Sequence, residues 1–332
     1  MKLVVFEAEE REAKAFGATF AAEELSLVAK PLDGEMAADY SDAEIISIFV
    51  YSRLTGEVLA LLPKLRMIAT RSMGFDHIDM DYCREHKIAV CNVPTYGANT
   101  VAEHVFALLL GISHRLPEAV EQARSGTFSP HGLQGFDLVG RTMGVVGTGN
   151  IGRHVVRIAR GFGMKVVAHD VFPDETLAEE QGFRYLELDV LLAEADVISL
   201  HVPATPATEN MLSVEAFRKM KQGVVVINTA RGNLIDVSAL IEALQSGKVA
   251  GAGLDVLPDE PLIREEAELI RSIYANRHDL RNLVADHILL HMPNVIVTPH
   301  SAFNTGEAIE RIVETTLGNI KAYIEGRPQN LV

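Results

Sequence analysis

The apolar pattern is most regular between Thr142 and His300, where one theme recurs six times: a short apolar run, closed by a residue with chemistry of its own. The runs are Thr142–Val146, Lys165–Ala168, Asp196–Leu200, Gly223–Ile227, Val249–Leu254 and Val295–Val297. They exit into Gly147, Asp170, His201, Arg231, Asp255 and His300. Unbroken apolar runs of this length, separated by helical spacing, predict parallel strands buried on both faces. Ligands of such sheets bind beyond the carboxyl ends of the strands, so six equipped exits on one edge predict a single site.

The first hundred residues alternate more weakly. Strands are predicted at Leu3–Phe6, Leu25–Ala29, Ile45–Val50, Met67–Thr70 and Ala89–Asn92, with helical patches at Gly56–Leu62 and Met80–His86. A long helix is predicted over about Val101–Ser113, with Asn99 or Thr100 as its cap and Glu103 near its positive end. A second follows over about Pro117–Ser125, then a loop over Gly126–Gly140. Beyond His300, Asn304–Glu307 caps a last helix of about Glu307–Glu325, whose apolar positions include Ile309, Ile312, Val313, Leu317 and Ile320. The N-terminal unit lacks a covering helix, so the chain is expected to cross back and supply it. The expected fold class is α/β, with two Rossmann-like or flavodoxin-like domains, each with a parallel sheet. One domain is discontinuous, residues 1–98 plus 300–332, and the other is residues 99–299; the active site is expected in the cleft they frame. Leu262–Met292 reads as an insertion before the last strand.

Bulk properties narrow the picture. A chain of 332 residues suits two domains, and 48% hydrophobic with 23% charged residues is a soluble globular composition. The formal net charge of −15, with no basic patch, argues against a nucleic-acid partner, while one local arginine can still hold a small anionic substrate. The cysteines, Cys83 and Cys91, read as reduced thiols. The N-terminus enters strand-like sequence at once, and the most apolar helical stretch, Ala102–Ile112, is too short to span a bilayer. No membrane partner and a cytoplasmic location are expected.

Gly147-Thr148-Gly149-Asn150-Ile151-Gly152 fits G-x-G-x-x-G in full context: a strand before, a helix after, and a second strand ending at Asp170. Gly147 allows the tight turn, Gly149 the approach of a pyrophosphate, and Gly152 the packing of helix on strand. Asn150 and Ile151 open the helix whose N-terminus faces the phosphates. Asp170 can accept from both ribose hydroxyls and repel a 2′-phosphate, which selects NAD over NADP.

Arg231, Glu260 and His300 lie at or after successive strand ends. Hydride transfer to a 2-keto acid requires these three types. A cation holds the carboxylate and polarises the carbonyl, a proton donor meets the new alkoxide, and a carboxylate favours the charged histidine. Singly, each has an ordinary alternative: Arg231 a surface turn residue, His300 a satisfied buried imidazole, Glu260 an exposed loop acid. Together, beside a dinucleotide fingerprint, they point to catalysis. Asp255 is expected either near the nicotinamide or supporting the histidine. His287 and His291, four apart, have no evident third ligand, so no metal is expected. His104 reads as a packed histidine, and Glu7, Glu9, Glu10 and Glu12 as a solvated face.

With these residues the chain resembles the D-isomer-specific 2-hydroxyacid dehydrogenases. The matching stretches run in family order: Arg71–Asp79, Asn92–Tyr96, Asn99–His104, Gly147–Gly152, His201–Thr205, Asn228–Gly232, Gly253–Val256 through Glu260-Pro261, and Thr298-Pro299-His300. The resemblance implies that residues 99–299 bind NAD, that the discontinuous domain is the smaller, substrate-binding one, and that the protein is a homodimer built largely through the NAD domain. It also implies cofactor contacts from Thr100, His201, Val202, Pro203, Thr229, Ala230 and Asp255. Within the family the chain is most similar to the D-lactate dehydrogenase branch, through His300–Thr305, Tyr96 and the insertion. That likeness implies that Phe303 and Tyr51 wall a small pocket near a substrate methyl, with Tyr96 alongside, and that the amides of Met73 and Gly74 bind a carboxylate. The expected reaction is reduction of pyruvate to D-lactate with NADH. The alternatives are glyoxylate, hydroxypyruvate or a bulkier 2-keto acid as substrate, or an NAD(H)-sensing regulator without turnover.

Overall fold

The computed structural model describes residues 1–258 and 287–332. They form two compact units, one of Met1–Tyr96 with Thr305–Val332, the other of Gly97–Asn304.

The first unit is built on five parallel strands, β1 (Lys2–Val5), β2 (Glu24–Leu27), β3 (Ile45–Ile48), β4 (Met67–Thr70) and β5 (Ala89–Cys91), in the order β2-β1-β3-β4-β5. Four helices join them, α1 (Glu10–Thr19), α2 (Gly34–Ala37), α3 (Gly56–Ala60) and α4 (Met80–Glu85). Side chains alternate across the sheet with period two, giving two cores. Val4, Ile46, Ile48 and Ile68 meet Leu54, Leu59 and Cys83 on one face. Leu3, Val5, Ile45, Met67 and Ala69 meet Phe16, Phe20 and Ile320 on the other. Ile320 belongs to the C-terminal helix Gly306–Ile324, whose N-cap Thr305 accepts from the Ala308 amide. Every residue of β3 and β4 is buried, and each large apolar side chain so placed is worth about 1.5–3 kcal/mol. A one-residue slip would forfeit that burial, so the register is well specified.

The second unit holds seven strands, all parallel: β6 (Thr142–Val146), β7 (Lys165–His169), β8 (Arg184–Tyr185), β9 (Val197–Leu200), β10 (Val224–Asn228), β11 (Val249–Leu254) and β12 (Val295–Val297). Their order is β12-β11-β10-β9-β6-β7-β8, so the chain reverses direction of growth between β6 and β9. Its helices are α5 (Ala98–Ser113), α6 (Leu116–Arg124), α7 (Asn150–Gly161), α8 (Glu175–Gln181), α9 (Leu188–Glu194), α10 (Val214–Lys219) and α11 (Val237–Gln245). One face is filled by Val105, Leu109, Val155 and Ala159, from α5 and α7. The other takes Leu191, Phe217, Leu240 and Leu244, from α9, α10 and α11.

Two details differ from the sequence reading. The edge strand β8 is only two residues long and carries no apolar run. Helix α5 starts one turn earlier than expected, with Gly97 as N-cap, whose carbonyl takes the Val101 amide at 2.8 Å. Asn99 and Thr100 therefore lie inside the helix, and Asn99 Nδ2 turns to Glu103 Oε1. Most of the expected insertion, and Glu260 with it, lies outside the described residues. No helix among the described residues is long and apolar enough to cross a membrane.

Candidate active site

Because the seven strands are parallel, their carboxyl ends share one edge. Along it, from β12 through β11, β10, β9 and β6 to β7, stand His300, Asp255, Arg231, His201, Gly147 and Asp170.

The nucleotide half centres on the β6–α7 turn. Gly147 has φ +94°, and a Cβ there would lie 2.6 Å from the His201 carbonyl oxygen and 3.0 Å from Val202 Cγ1. A Cβ on Gly152 would lie 1.9 Å from the Gly147 carbonyl oxygen. Both positions admit only glycine. Gly149, the N-cap of α7, instead faces open space, with nothing within 4 Å of where its Cβ would stand. The first turn of α7, from Asn150 and Ile151, is therefore open to an anion at its positive end. Asp170 is held ready: Oδ2 accepts from the Thr148 amide at 2.7 Å and hydroxyl at 3.0 Å, and Oδ1 from the Phe172 amide at 3.0 Å. Partial burial pushes this carboxyl up, but the two amides and the hydroxyl outweigh it and hold its pKa below the ordinary value. Tyr185 OH continues the chain, 2.8 Å from Thr148 Oγ1. Sequence reasoning passed over Thr148 and Tyr185; the only available signal was a hydroxyl residue inside the glycine fingerprint.

Of the five buried side-chain polar atoms that lack a hydrogen-bond partner among the described residues, His201 Nδ1 and Thr229 Oγ1 stand together at the ends of adjacent strands β9 and β10. Buried orphans are rare without a ligand or water to meet them. With the open Gly149 and the poised Asp170, they fit a dinucleotide lying along this edge. Val202 and Pro203 follow His201 there, Ala230 follows Thr229, and Thr100 is buried on α5. The His201 ring sits 2.8 Å from Ser199 Oγ, and burial pushes its pKa from 6.5 down to about 3. The unfolded chain thus takes up a proton that the folded site refuses. His201 therefore contributes stability that is full above pH 6.5 and lost as pH falls toward 3. We expect His201→Asn to flatten the decline of the melting temperature between pH 7 and pH 4; an undiminished decline would contradict this placement.

The reactive half is fixed by buried amides and carboxylates. Asn228, 1% exposed at the end of β10, accepts the Ala230 amide at 3.0 Å and donates to the Arg231 carbonyl at 2.8 Å. A Cβ on Gly232 would lie 2.2 Å from the Leu257 carbonyl carbon, so this turn packs directly on the segment after β11. Asp255, 1% exposed, spends its carboxylate on the loop after β12. Oδ1 accepts from Thr298 Oγ1 at 2.6 Å and the Ser301 amide at 2.8 Å; Oδ2 accepts from the Ala302 amide at 2.9 Å. His104 Nε2 completes the cluster, 3.0 Å from Thr298 Oγ1 and 3.5 Å from Asp255 Oδ1. These bonds tie Asp255 to the loop that carries His300. His300 sits in that loop with φ +50°, its amide donating at 2.9 Å to the carbonyls of both Asp255 and Thr298. A left-handed backbone at a non-glycine residue persists only where neighbours hold it. Phe303 follows at the same loop's end.

In the other unit, the Ser72 carbonyl takes the Val93 amide at 2.9 Å, and the Met73 carbonyl takes Asn92 Nδ2 at 2.8 Å. In a trans peptide the N–H opposes the C=O, so the Met73 and Gly74 N–H groups point away from β5. Ser72 Oγ also donates to the Gly74 carbonyl at 2.6 Å. Tyr51 is 46% exposed, its ring edge-on to Phe49. The Tyr96 carbonyl accepts from Arg311 Nε at 2.7 Å. Of the acidic cluster, Glu9 and Glu10 are exposed as expected, but Glu7 and Glu12 are not part of a solvated face. Glu7 accepts three hydrogen bonds from the 49–52 loop, and Glu12 pairs with the buried Arg71. Among the described residues no group of three His, Cys, Asp or Glu could hold a metal ion.

Comparison with known proteins gives the family. Residues 106–302 match the family model of the D-isomer specific 2-hydroxyacid dehydrogenase, NAD binding domain. The chain is 39% identical over 307 residues to the D-lactate dehydrogenase of Escherichia coli (strain K12), covering 91% of this chain and 90% of that one. It is 36% identical over 296 residues to a glyoxylate reductase of Korarchaeum cryptofilum, covering 88% and 83%. Its fold matches the crystal structure of the Aquifex aeolicus D-lactate dehydrogenase complexed with NAD and lactic acid, with a TM-score of 0.88 and 38% identity over 98% of this chain and 96% of that one. The chain therefore belongs to the NAD-dependent, D-isomer-specific 2-hydroxyacid dehydrogenases.

Proposed function

We propose that this enzyme is a D-lactate dehydrogenase that reduces pyruvate to D-lactate with NADH. The observation that carries this reading is the run His300, Asp255, Arg231 on three neighbouring strand ends, with the His300 loop clamped by a buried carboxylate. Gly149, the α7 N-terminus and Asp170 would hold the cofactor, which would supply hydride for the keto carbon. Arg231 holds the substrate carboxylate in its planar fork and stabilises the charge that builds on the carbonyl oxygen. His300 donates its proton to that oxygen, and Glu260 favours the protonated ring. The amides of Met73 and Gly74 bind the carboxylate, while Tyr51, Tyr96 and Phe303 limit the substrate side chain. In this reading the Gly97–Asn304 unit takes NAD and the other unit takes the keto acid.

Similarity to both a D-lactate dehydrogenase and a glyoxylate reductase leaves the side-chain preference to the pocket residues. Phe303 and Tyr51 favour a small methyl over a bulkier group. A homodimer is part of this reading. A monomeric mass by light scattering would contradict that homodimer. The free, buried Cys83 and Cys91, both pushed up to about 11 by burial, fit a cytoplasmic location. The function is tested by chiral analysis of the product from pyruvate and NADH. D-lactate is expected; L-lactate, or no product, would contradict the proposal.

A further inference from the structure

We propose that Glu7 is a positioning residue that sets substrate selectivity, by holding the 49–52 loop, and with it Tyr51, in fixed register with the Met73 and Gly74 amides. This rests on the reading above that Tyr51 and those amides meet the substrate.

Glu7 leaves β1 in the left-handed region, φ +54°, and its carboxylate faces the exit of β3. Oε2 accepts from the Phe49 amide and the Ser52 hydroxyl, both at 2.7 Å; Oε1 accepts from the Tyr51 amide at 2.8 Å. Three donors from four consecutive residues converge on one carboxylate. Hydrogen bonds to an ionised acceptor are short and directional, so they fix the loop backbone rather than merely covering it.

The anchor is itself anchored. Arg71, the first residue after β4, is fully buried. Its Nη2 donates to the carbonyls of Phe6 at 2.8 Å and Glu7 at 2.9 Å, and its Nη1 to Ser47 Oγ at 3.1 Å. Glu12 Oε1 lies 3.0 Å from its Nε. A buried guanidinium is costly unless paired and hydrogen-bonded, and the sheet's own ladder needs none of these bonds. What the network does is join the exits of β1, β3 and β4. From Arg71 the chain runs directly into Ser72, Met73 and Gly74, while Glu7 reaches across to Tyr51. The wall beside the substrate side chain and the amides under its carboxylate thus share one buried foundation.

The isosteric Glu7→Gln tests this. Glutamine offers one oxygen and one NH2, so one of the two loop amides would face a donor instead of an acceptor. Loosening a positioning contact by an ångström typically costs about 10²-fold. We expect KM for pyruvate to rise at least about tenfold and the preference for pyruvate over phenylpyruvate to narrow by a similar factor. NADH affinity should be unchanged. A merely structural role would lower the melting temperature without moving selectivity. Tyr51→Ala is assayed alongside. If it narrows selectivity while Glu7→Gln leaves it at the wild-type value, the positioning role is overturned and the pocket reading stands. If neither variant moves selectivity, the pocket reading fails and the proposal with it. Should Glu7→Gln fail to fold, Ser52→Ala removes one of the three bonds together with the bond from the Leu32 amide; narrowed selectivity supports the role and wild-type selectivity overturns it.

Discussion

Arg231→Ala is expected to lower kcat/KM for pyruvate by about 10²–10⁴-fold, through both KM and kcat. The carboxylate contact exists in the ground state, so its loss raises KM. The contact to the carbonyl oxygen strengthens as charge develops, so its loss lowers kcat. The truncation should not disturb the turn, because Asn228 holds the backbone on both sides of Ala230 and Gly232 packs against Leu257. NADH should therefore bind the variant with its affinity changed less than about twofold, as measured by fluorescence titration. Arg231→Lys should recover only part of the loss, since an ammonium lacks the bidentate fork. Wild-type kcat/KM in Arg231→Ala would remove Arg231 from the site.

His300→Ala is expected to lower kcat by about 10²–10⁴-fold, the usual worth of a positioned acid. The kinetic signature should differ from that of Arg231. KM for pyruvate should change little, because the proton moves only on the way to the transition state. The loop should survive, as its fixed points are the backbone amides of Ser301 and Ala302 on Asp255. An unchanged rate would place His300 outside the chemistry.

The large sheet was legible because its strands are buried on both faces. Val224–Asn228, buried at every position, has no solvent side to break the apolar run. The same logic hid β8, where Arg184 and Tyr185 sit at the edge of the sheet and owe their conformation to β7. Helix α5 began early because Gly97 could cap it with its backbone alone, which leaves no side-chain signature.

At the site, which residues end up on the carboxyl edge follows from strand order, and parallel strands make that edge readable. What each side chain does there does not. Asp255 reaches Ser301 across 46 positions, and Glu7 reaches Phe49 across 42. A carboxylate that closes on backbone amides so far away looks, in sequence, like any exposed acid. Glu7 departs from its sequence reading for that reason, and Glu12 because its partner is the buried Arg71 guanidinium far along the chain. The partner of Thr148 was missed because Asp170 had been assigned wholly to the ribose. Glu260 lies outside the described residues.

The most direct test is the rate of NADH oxidation with pyruvate, glyoxylate, hydroxypyruvate, 2-ketobutyrate and phenylpyruvate, each repeated with NADPH. The expected result is highest kcat/KM with pyruvate, and NADPH slower by an order of magnitude or more, about the least that repulsion by the Asp170 charge should give. Turnover that favours another keto acid would keep the mechanism and displace the pocket assigned to Tyr51 and Phe303. NADH binding without turnover on any of the five would contradict the enzyme itself.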